Sequence, residues 1–344
     1  VRAIVYDAFG GPVEVREVPE PVVPDGGVVL RVGASGVCRS DWHSWAHGDD
    51  MVSLPNVPGH EFVGTITAIG TGVTRWAIGD RVTAPFVCGC GECEWCEQGD
   101  AQICPNQTQP GFTGWGSHAE FVAVHAADAN LVAVPDSLSD DAAASLGCRF
   151  ATAFRAVRAR AAVQTGEWVA VFGSGGVGLS AVMIARSLGA RVVVVDRSAA
   201  ALRLATEFGA EAVLEATDDV ADRIVELTAG GAHVSIDAVG SAETSTNGIL
   251  SLRRHGRHVQ IGLLAAEELP RLPLDRVITF ELAVLGSHGM AARDYADMLA
   301  LVADGTLRPQ DLVTRSVDLH EGARLMPLTD AAPSTGITVI HPAE

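Results

Sequence analysis

Between residues 150 and 287, short apolar runs alternate with stretches of helical spacing. Trp168 to Phe172 is an unbroken apolar run of strand length. From Leu179 to Leu188 the apolar positions follow a helical period, and Gly189 marks the stop. Arg191 to Val195 is a second buried strand, closed by Asp196. The segments AALRLATEFGAEAVLEA, DDVADRIVELTAGGAHVSIDAVG and TSTNGILSLRRHGRHVQIGL each repeat helix then strand. At least five such alternations predict an α/β region with a doubly wound sheet over residues 150–287. Residues 1 to about 147 read differently. VRAIVYDAFGGP alternates like a strand, and the remainder of this region is β-rich and broken by Gly and Pro. The last 55 or so residues are mixed and are expected to return to the first domain. The expected organisation is therefore 1–149 with 288–344 as one domain and 150–287 as the other. No solenoid repeat or low-complexity tract is evident.

With 344 residues and 48% hydrophobic positions the chain can build sizeable cores. A net charge of −18 and no basic patch exclude nucleic acid and anionic lipid as expected partners. No apolar run reaches the roughly 18 residues of a membrane span, and the N-terminal stretch lacks a signal peptide's pattern, so a cytoplasmic location is expected. All 24 basic residues are Arg. Without Lys, Schiff-base chemistry, a P-loop and Tyr-Lys dehydrogenase chemistry are excluded.

Five of the seven cysteines, Cys88, Cys90, Cys93, Cys96 and Cys104, fall within seventeen residues. GCGECEWCEQGD has glycines to bend the chain and little apolar periodicity, as a loop does. Cys90, Cys93, Cys96 and Cys104 can close a tetrahedron around a structural Zn²⁺, leaving Cys88 free. An iron–sulfur cluster or reactive thiols are the alternatives. Cys38 in GVCRSDWH, His60 in PGHEFVG and Cys148 in SLGCRFATAF would make a three-ligand zinc set with an open, catalytic position. From spacing alone, each lone cysteine reads equally well as a small buried hydrophobe.

The segment EWVAVFGSGGVGLSAVMIARSLGARVVVVDRS places Gly173, Gly175 and Gly178, with Gly176 and Val177 between them, after a strand and at the start of a helix. An acid, Asp196, follows 18 residues later at a strand end. Such a turn allows close approach of a pyrophosphate to a helix N-terminus. Asp196 can accept from ribose hydroxyls and repels a 2′-phosphate, favouring NAD over NADP; Arg197 beside it argues the other way.

GVCRSDWH, PGHEFVG, the four-cysteine lobe, GCRFATAF and GSGGVG stand in an order that resembles the zinc-containing alcohol dehydrogenases of the medium-chain dehydrogenase/reductase superfamily, over essentially the whole chain. The resemblance implies a β-rich, GroES-like catalytic domain plus a Rossmann domain. It implies two zinc ions per chain, one held by Cys38, His60 and Cys148, together with NAD. It implies hydride transfer between a primary or secondary alcohol and NAD, with the aldehyde or ketone as the other partner, and a homodimer or homotetramer. Asp41 matches the carboxylate that orients the histidine ligand, and Glu61 matches an acid that can approach zinc during ligand exchange. Ser40 matches the hydroxyl that takes the alcohol proton, and His43 matches a residue that passes it on.

The chain also departs from the family. Ala201 stands where many relatives carry a Lys that contacts the ribose, and a basic residue near the C-terminus is replaced around Gly336 to Thr338. Arg197 and Arg203 are candidates for those roles. Phe86 resembles a pocket-lining aromatic, and Trp42, Trp45 and Trp115 lie near motif residues, with core packing as the alternative. His118, where relatives often have an aromatic, is expected to add polarity to the pocket. Cys148 as third ligand favours simple alcohols over polyols. The competing readings are a related zinc dehydrogenase for a polyol, amino alcohol or formaldehyde adduct, and a non-enzymatic zinc or redox-sensing protein.

Overall fold

The computed structural model describes residues 1–264, 269–329 and 336–343. The chain divides into two compact units, Val1–Ala151 with Gly289–Glu344, and Thr152–His288.

The second unit is built on six parallel strands in the order Ala212–Glu215, Arg191–Asp196, Trp168–Phe172, Ala232–Asp237, Leu252–Gln260, Ala283–Gly286. Helices Gly176–Ser187, Ala199–Glu207, Val220–Leu227, Ala242–Leu250 and Leu274–Phe280 connect them. The strand order reverses between Trp168–Phe172 and Ala232–Asp237, the switch point at which open α/β sheets hold ligands. Every residue of Trp168–Phe172 is buried, which explains its unbroken apolar run: a central parallel strand has no solvent face. The expected Rossmann fold is present, with one strand more than the minimum of five read from the pattern.

The first unit is a mixed sheet around the ten-residue strand Val28–Val37. Phe62–Ile69 and Ile337–Ile340 pair with it antiparallel, and Phe121–Val124 pairs with its first half. Val313–Val317, Arg81–Thr83 and Val132–Ala133 extend this sheet, while Arg2–Val5 and Glu14–Glu17 form a separate hairpin. The C-terminal strand thus closes onto the unit that the N-terminus opens. Val28, Leu30, Val32, Phe62, Ile66 and Val122 form the core under this sheet. Strand Val28–Val37 delivers Cys38 at its end, and Phe62–Ile69 starts directly after His60 and Glu61.

Candidate functional site

Cys38 is the N-cap of helix Arg39–His47. The sequence Cys-Arg-Ser-Asp closes a capping box: Asp41 Oδ2 accepts the Cys38 N–H at 3.0 Å, and the Cys38 sulfur accepts from the N–H of Asp41. A helix N-terminus favours a thiolate there. Asp41 Oδ1 also accepts from the Gly59 N–H at 3.0 Å and pairs with His60 Nδ1 at 2.9 Å. Burial opposes the charge on Asp41, but the His60 ring, His118 and the Cys38 N–H together hold its carboxyl well below the usual range. With Nδ1 engaged, His60 Nε2 is turned the other way. It is buried and has no hydrogen-bond partner among the described residues. Cys148 sits on a turn of π-helix, Leu146–Phe150, a distortion common at functional sites. The buried Tyr295 hydroxyl donates to the carbonyls of Leu146 and Gly147 just before it, at 3.4 and 3.3 Å. The ligand atoms of Cys38, His60 and Cys148 lie within 4.8 Å of one another. An orphaned buried imidazole nitrogen facing two thiols is a donor set that fits zinc, with no fourth protein ligand grouped with it among the described residues.

The four-thiol lobe has its own geometry. Sulfur separations are 3.5 Å for Cys104 and Cys90, 3.6 Å for Cys93 with Cys96 and with Cys104, and 4.0 Å for Cys90 and Cys96. A tetrahedron with Zn–S bonds of about 2.3 Å has edges of about 3.8 Å, so the set fits a closed zinc site. Cys88 lies apart: its thiol points at the Pro85 carbonyl, and burial pushes it up to about 12.

In the second unit, Gly173, Gly175, Gly176, Val177 and Gly178 form the turn into helix Gly176–Ser187. Two of these glycines are demanded by the protein itself. Gly173 has φ +91°, and a Cβ on Gly178 would lie 1.8 Å from the Gly173 carbonyl oxygen. Gly175 is different: a Cβ there would meet nothing within 4 Å, and no side chain caps the helix. The described residues impose no steric reason for a glycine there, and the uncapped helix N-terminus leaves room for an anion. Asp196 accepts from the Ser174 N–H and hydroxyl on Oδ2, both at 2.7 Å, and from the Ser198 N–H on Oδ1 at 2.8 Å. Arg197 and Arg203 are exposed, and Ala201 is buried on helix Ala199–Glu207.

Known proteins match the chain along most of its length. The alcohol dehydrogenase GroES-like domain family matches residues 24–136, and the zinc-binding dehydrogenase family matches residues 176–304. An alcohol dehydrogenase of Geobacillus stearothermophilus is 35% identical over 311 residues, covering 90% of each chain. The chain belongs to the zinc-containing alcohol dehydrogenase family. A sorbitol dehydrogenase of Halalkalibacterium halodurans is 32% identical over 327 residues, covering 93% of this chain and 94% of that one. The crystal structure of an NAD-dependent alcohol dehydrogenase superposes with a TM-score of 0.88 at 30% identity, covering 99% of this chain and 100% of the other. The protein is thus an enzyme, an oxidoreductase of this family.

The remaining expected residues of this dehydrogenase fall into distinct places. The Ser40 hydroxyl is 3.8 Å from Cys38 Sγ. His43 is on the exposed side of the same helix, its ring 4.9 Å from that of His47. Phe86 stands edge-on to His60, ring centroids 6.0 Å apart. Trp115 does not join this group. It lines a surface cavity of about 220 Å³ with Val18, Pro21, Thr108 and Gln109, and none of the three candidate ligands lines that cavity. His118 is wholly buried behind Asp41 rather than on a pocket wall. Glu61 is held by Arg149: both carboxylate oxygens contact its guanidinium, and Oε1 also accepts the Arg149 N–H at 2.8 Å. Burial raises the Glu61 carboxyl despite the opposing Arg149 charge. A carboxylate so engaged is restrained from moving toward the thiols. Arg149 and Phe112, whose ring lies 5.3 Å from that of His60, are neighbours that the motifs do not single out. An Arg directly after a candidate ligand is the one sequence signal for the first, since a buried guanidinium needs an acid.

Proposed function

We propose that this protein is an NAD-dependent zinc alcohol dehydrogenase that interconverts a primary or secondary alcohol and its aldehyde or ketone. The observation that carries the reading is the unpartnered Nε2 of His60, buried beside the thiols of Cys38 and Cys148. Three protein donors leave a fourth position for substrate, whereas the four-thiol lobe is closed and suits a second, structural ion. When bound, zinc supplies a Lewis acid that eases loss of the alcohol proton, and NAD supplies the hydride acceptor. The chain's own residues do the rest. Asp41 fixes the His60 ring and its tautomer. In this reading Ser40, beside Cys38, takes the alcohol proton, and the exposed His43 hands it to solvent. Phe86 supplies an apolar edge next to His60. Gly175, Gly176 and Val177 offer backbone room and N–H groups to a pyrophosphate, and Asp196 keeps acceptor capacity for ribose hydroxyls while opposing a 2′-phosphate.

The same reading includes a homodimer or homotetramer in the cytoplasm. It is supported by an apolar sheet edge in the second unit and by seven cysteines all free. Among the described residues no helix is long and apolar enough to cross a membrane.

The test is a panel of benzyl alcohol, hexanol, a tetritol and threonine, followed by cofactor absorbance with NAD and with NADP. Turnover of the simple alcohols with NAD is expected. Turnover of the tetritol or threonine alone moves the substrate to the polyol or amino-alcohol class. No turnover of any of them, with metal in the four-thiol lobe only, would sink the enzyme reading.

A further inference from the structure

Asp41 is buried between two imidazoles. The first is His60. The second is His118, whose Nε2 lies 3.8 Å from Asp41 Oδ2 and has no hydrogen-bond partner among the described residues. The backbone fixes this placement. The Gly116 N–H donates to the Val57 carbonyl at 2.7 Å, Ser117 to Gly59 at 2.9 Å and His118 to Pro58 at 2.9 Å. The segment carrying His118 is therefore laid along the segment that ends in His60. The two are so close that a Cβ on Gly59 would lie 2.5 Å from the His118 nitrogen and 2.6 Å from its Nδ1.

The side chain is oriented from behind. His118 Nδ1 is 2.8 Å from Ser35 Oγ, which is 2.7 Å from Ser117 Oγ. A neutral imidazole carries one N–H. Either direction fits the Ser117–Ser35–Nδ1 chain, but a buried carboxylate 3.8 Å from Nε2 favours the tautomer with the ring proton on Nε2, Ser35 then donating to Nδ1. At 3.8 Å the contact is electrostatic rather than a hydrogen bond, but in a buried site such attraction is poorly screened. Asp41 Oδ1 serves Gly59 and His60, while Oδ2 serves only the Cys38 N–H. The Oδ2 side is where His118 stands.

We propose that His118 is a positioning residue for the three-donor site: it holds Asp41 in place, so that Asp41 keeps His60 turned with Nε2 toward the two thiols. The inference rests on reading that site as zinc-binding. It moves His118 from the substrate to the metal side of the chemistry.

Three substitutions separate this role from packing. In His118→Gln the amide nitrogen reaches roughly where Nε2 stands and keeps the donor toward Asp41. In His118→Asn the amide reaches only the Ser35 side, and His118→Phe fills the space without either contact. Zinc affinity of each purified protein is measured by chelator competition. The four-thiol lobe serves as internal reference, and the visible spectrum after Co²⁺ substitution reports ligand geometry. The expected result is a loss of about tenfold in affinity at the three-donor site for Phe and Asn, with a shifted Co²⁺ spectrum and the lobe metal retained. The Gln variant is expected to stay within about twofold of the parent. Asn matching the parent while Gln falls would overturn the proposal, because the Ser35 contact would then be the one that counts. Equal affinity in all three variants would overturn it too. A parent protein that takes no metal at Cys38, His60 and Cys148 would instead overturn the zinc reading, and this inference with it.

Discussion

Glu61 is wholly buried, and among the described residues its charged hydrogen-bond partner is Arg149, itself almost wholly buried. Gly36 is part of the arrangement: a Cβ there would lie 2.5 Å from Glu61 Oε2 and 2.9 Å from Arg149 Nη2. Removing one member of a buried ion pair strands the other. Arg149→Met should therefore lower unfolding free energy by about 3–5 kcal/mol in urea titration, and adding Glu61→Gln should recover a large part. A single-variant loss below about 1 kcal/mol would show that the pair does not behave as a buried one. Little of this pairing is legible locally: an Arg directly after Cys148 hints at a buried guanidinium but does not name its acid. Nothing around Glu61 announces an Arg 88 residues away, because the two meet only once strand Phe62–Ile69 and the π-turn at Cys148 are assembled. The same holds for His118 and Asp41, which depend on how residues 116–118 lie along 57–59. Cys38 and Cys148 lie 110 residues apart, so donor chemistry could suggest grouping them with His60 but spacing could not single them out; the resemblance did. Asp196, by contrast, is read from its distance to the glycine turn. Asp196→Ala should weaken NAD binding by about 1–3 kcal/mol and improve NADP relative to NAD, in titrations of both cofactors. A parent protein that already prefers NADP would show that Arg197 outweighs Asp196.

At the scale of elements, the glycine turn offers two substitutions with opposite signatures. Gly178→Ala would force a Cβ to within 1.8 Å of the Gly173 oxygen, so strand and helix must separate, and the melting temperature should fall by several degrees. Gly175→Ala meets no protein atom within 4 Å and leaves φ in the ordinary region at −76°. It should melt like the parent while losing about tenfold, or about 1.4 kcal/mol, in NAD affinity by calorimetry. Unchanged affinity there would remove Gly175 from the cofactor site. The cysteine lobe contrasts in the same way with the Cys38 site. It has little apolar surface of its own, and helix Glu94–Gln98 buries no residue. Cys93→Ala should release the lobe metal and lower the melting temperature or cause aggregation, with residual specific activity. Cys38→Ala, at the end of a strand that pairs with three others, should melt normally and be inactive. The reverse pattern would mean that the two sites are assigned the wrong way round. These elements are legible from sequence because their ligands and turns are local: a CxxCxxC run and a GxGxxG turn declare themselves within one loop.

On the scale of the molecule, a net charge of −18 opposes association of like chains, most strongly at low salt. The second unit nonetheless leaves one sheet edge open. Among the described residues, strand Ala283–Gly286 pairs with Leu252–Gln260 on one side only, and the backbone groups of its other side have no strand partner. Exposed apolar side chains accompany it: Val284 on the strand itself, and Leu274 and Ile278 on the helix that precedes it. Ile278 is 74% exposed and Leu274 59%. An unprotected edge beside an apolar patch is what proteins cover, and the simplest cover is the same edge of a second copy related by a two-fold axis. The area at stake is apolar, so the contact should survive salt, which also weakens the charge repulsion. Light scattering after gel filtration should therefore give a mass of at least twice 35.8 kDa, with no loss of the larger species at about 0.5 M salt. Replacing Ile278 and Val284 together by Glu places charges on both the helix and the strand. It should shift the protein toward monomer without unfolding the second unit, whose core lies on the other side of those residues. A parent protein that runs as a monomer at tens of micromolar would end this reading of the edge. So would a double Glu variant that stays fully associated, which would place the subunit contact elsewhere on the chain.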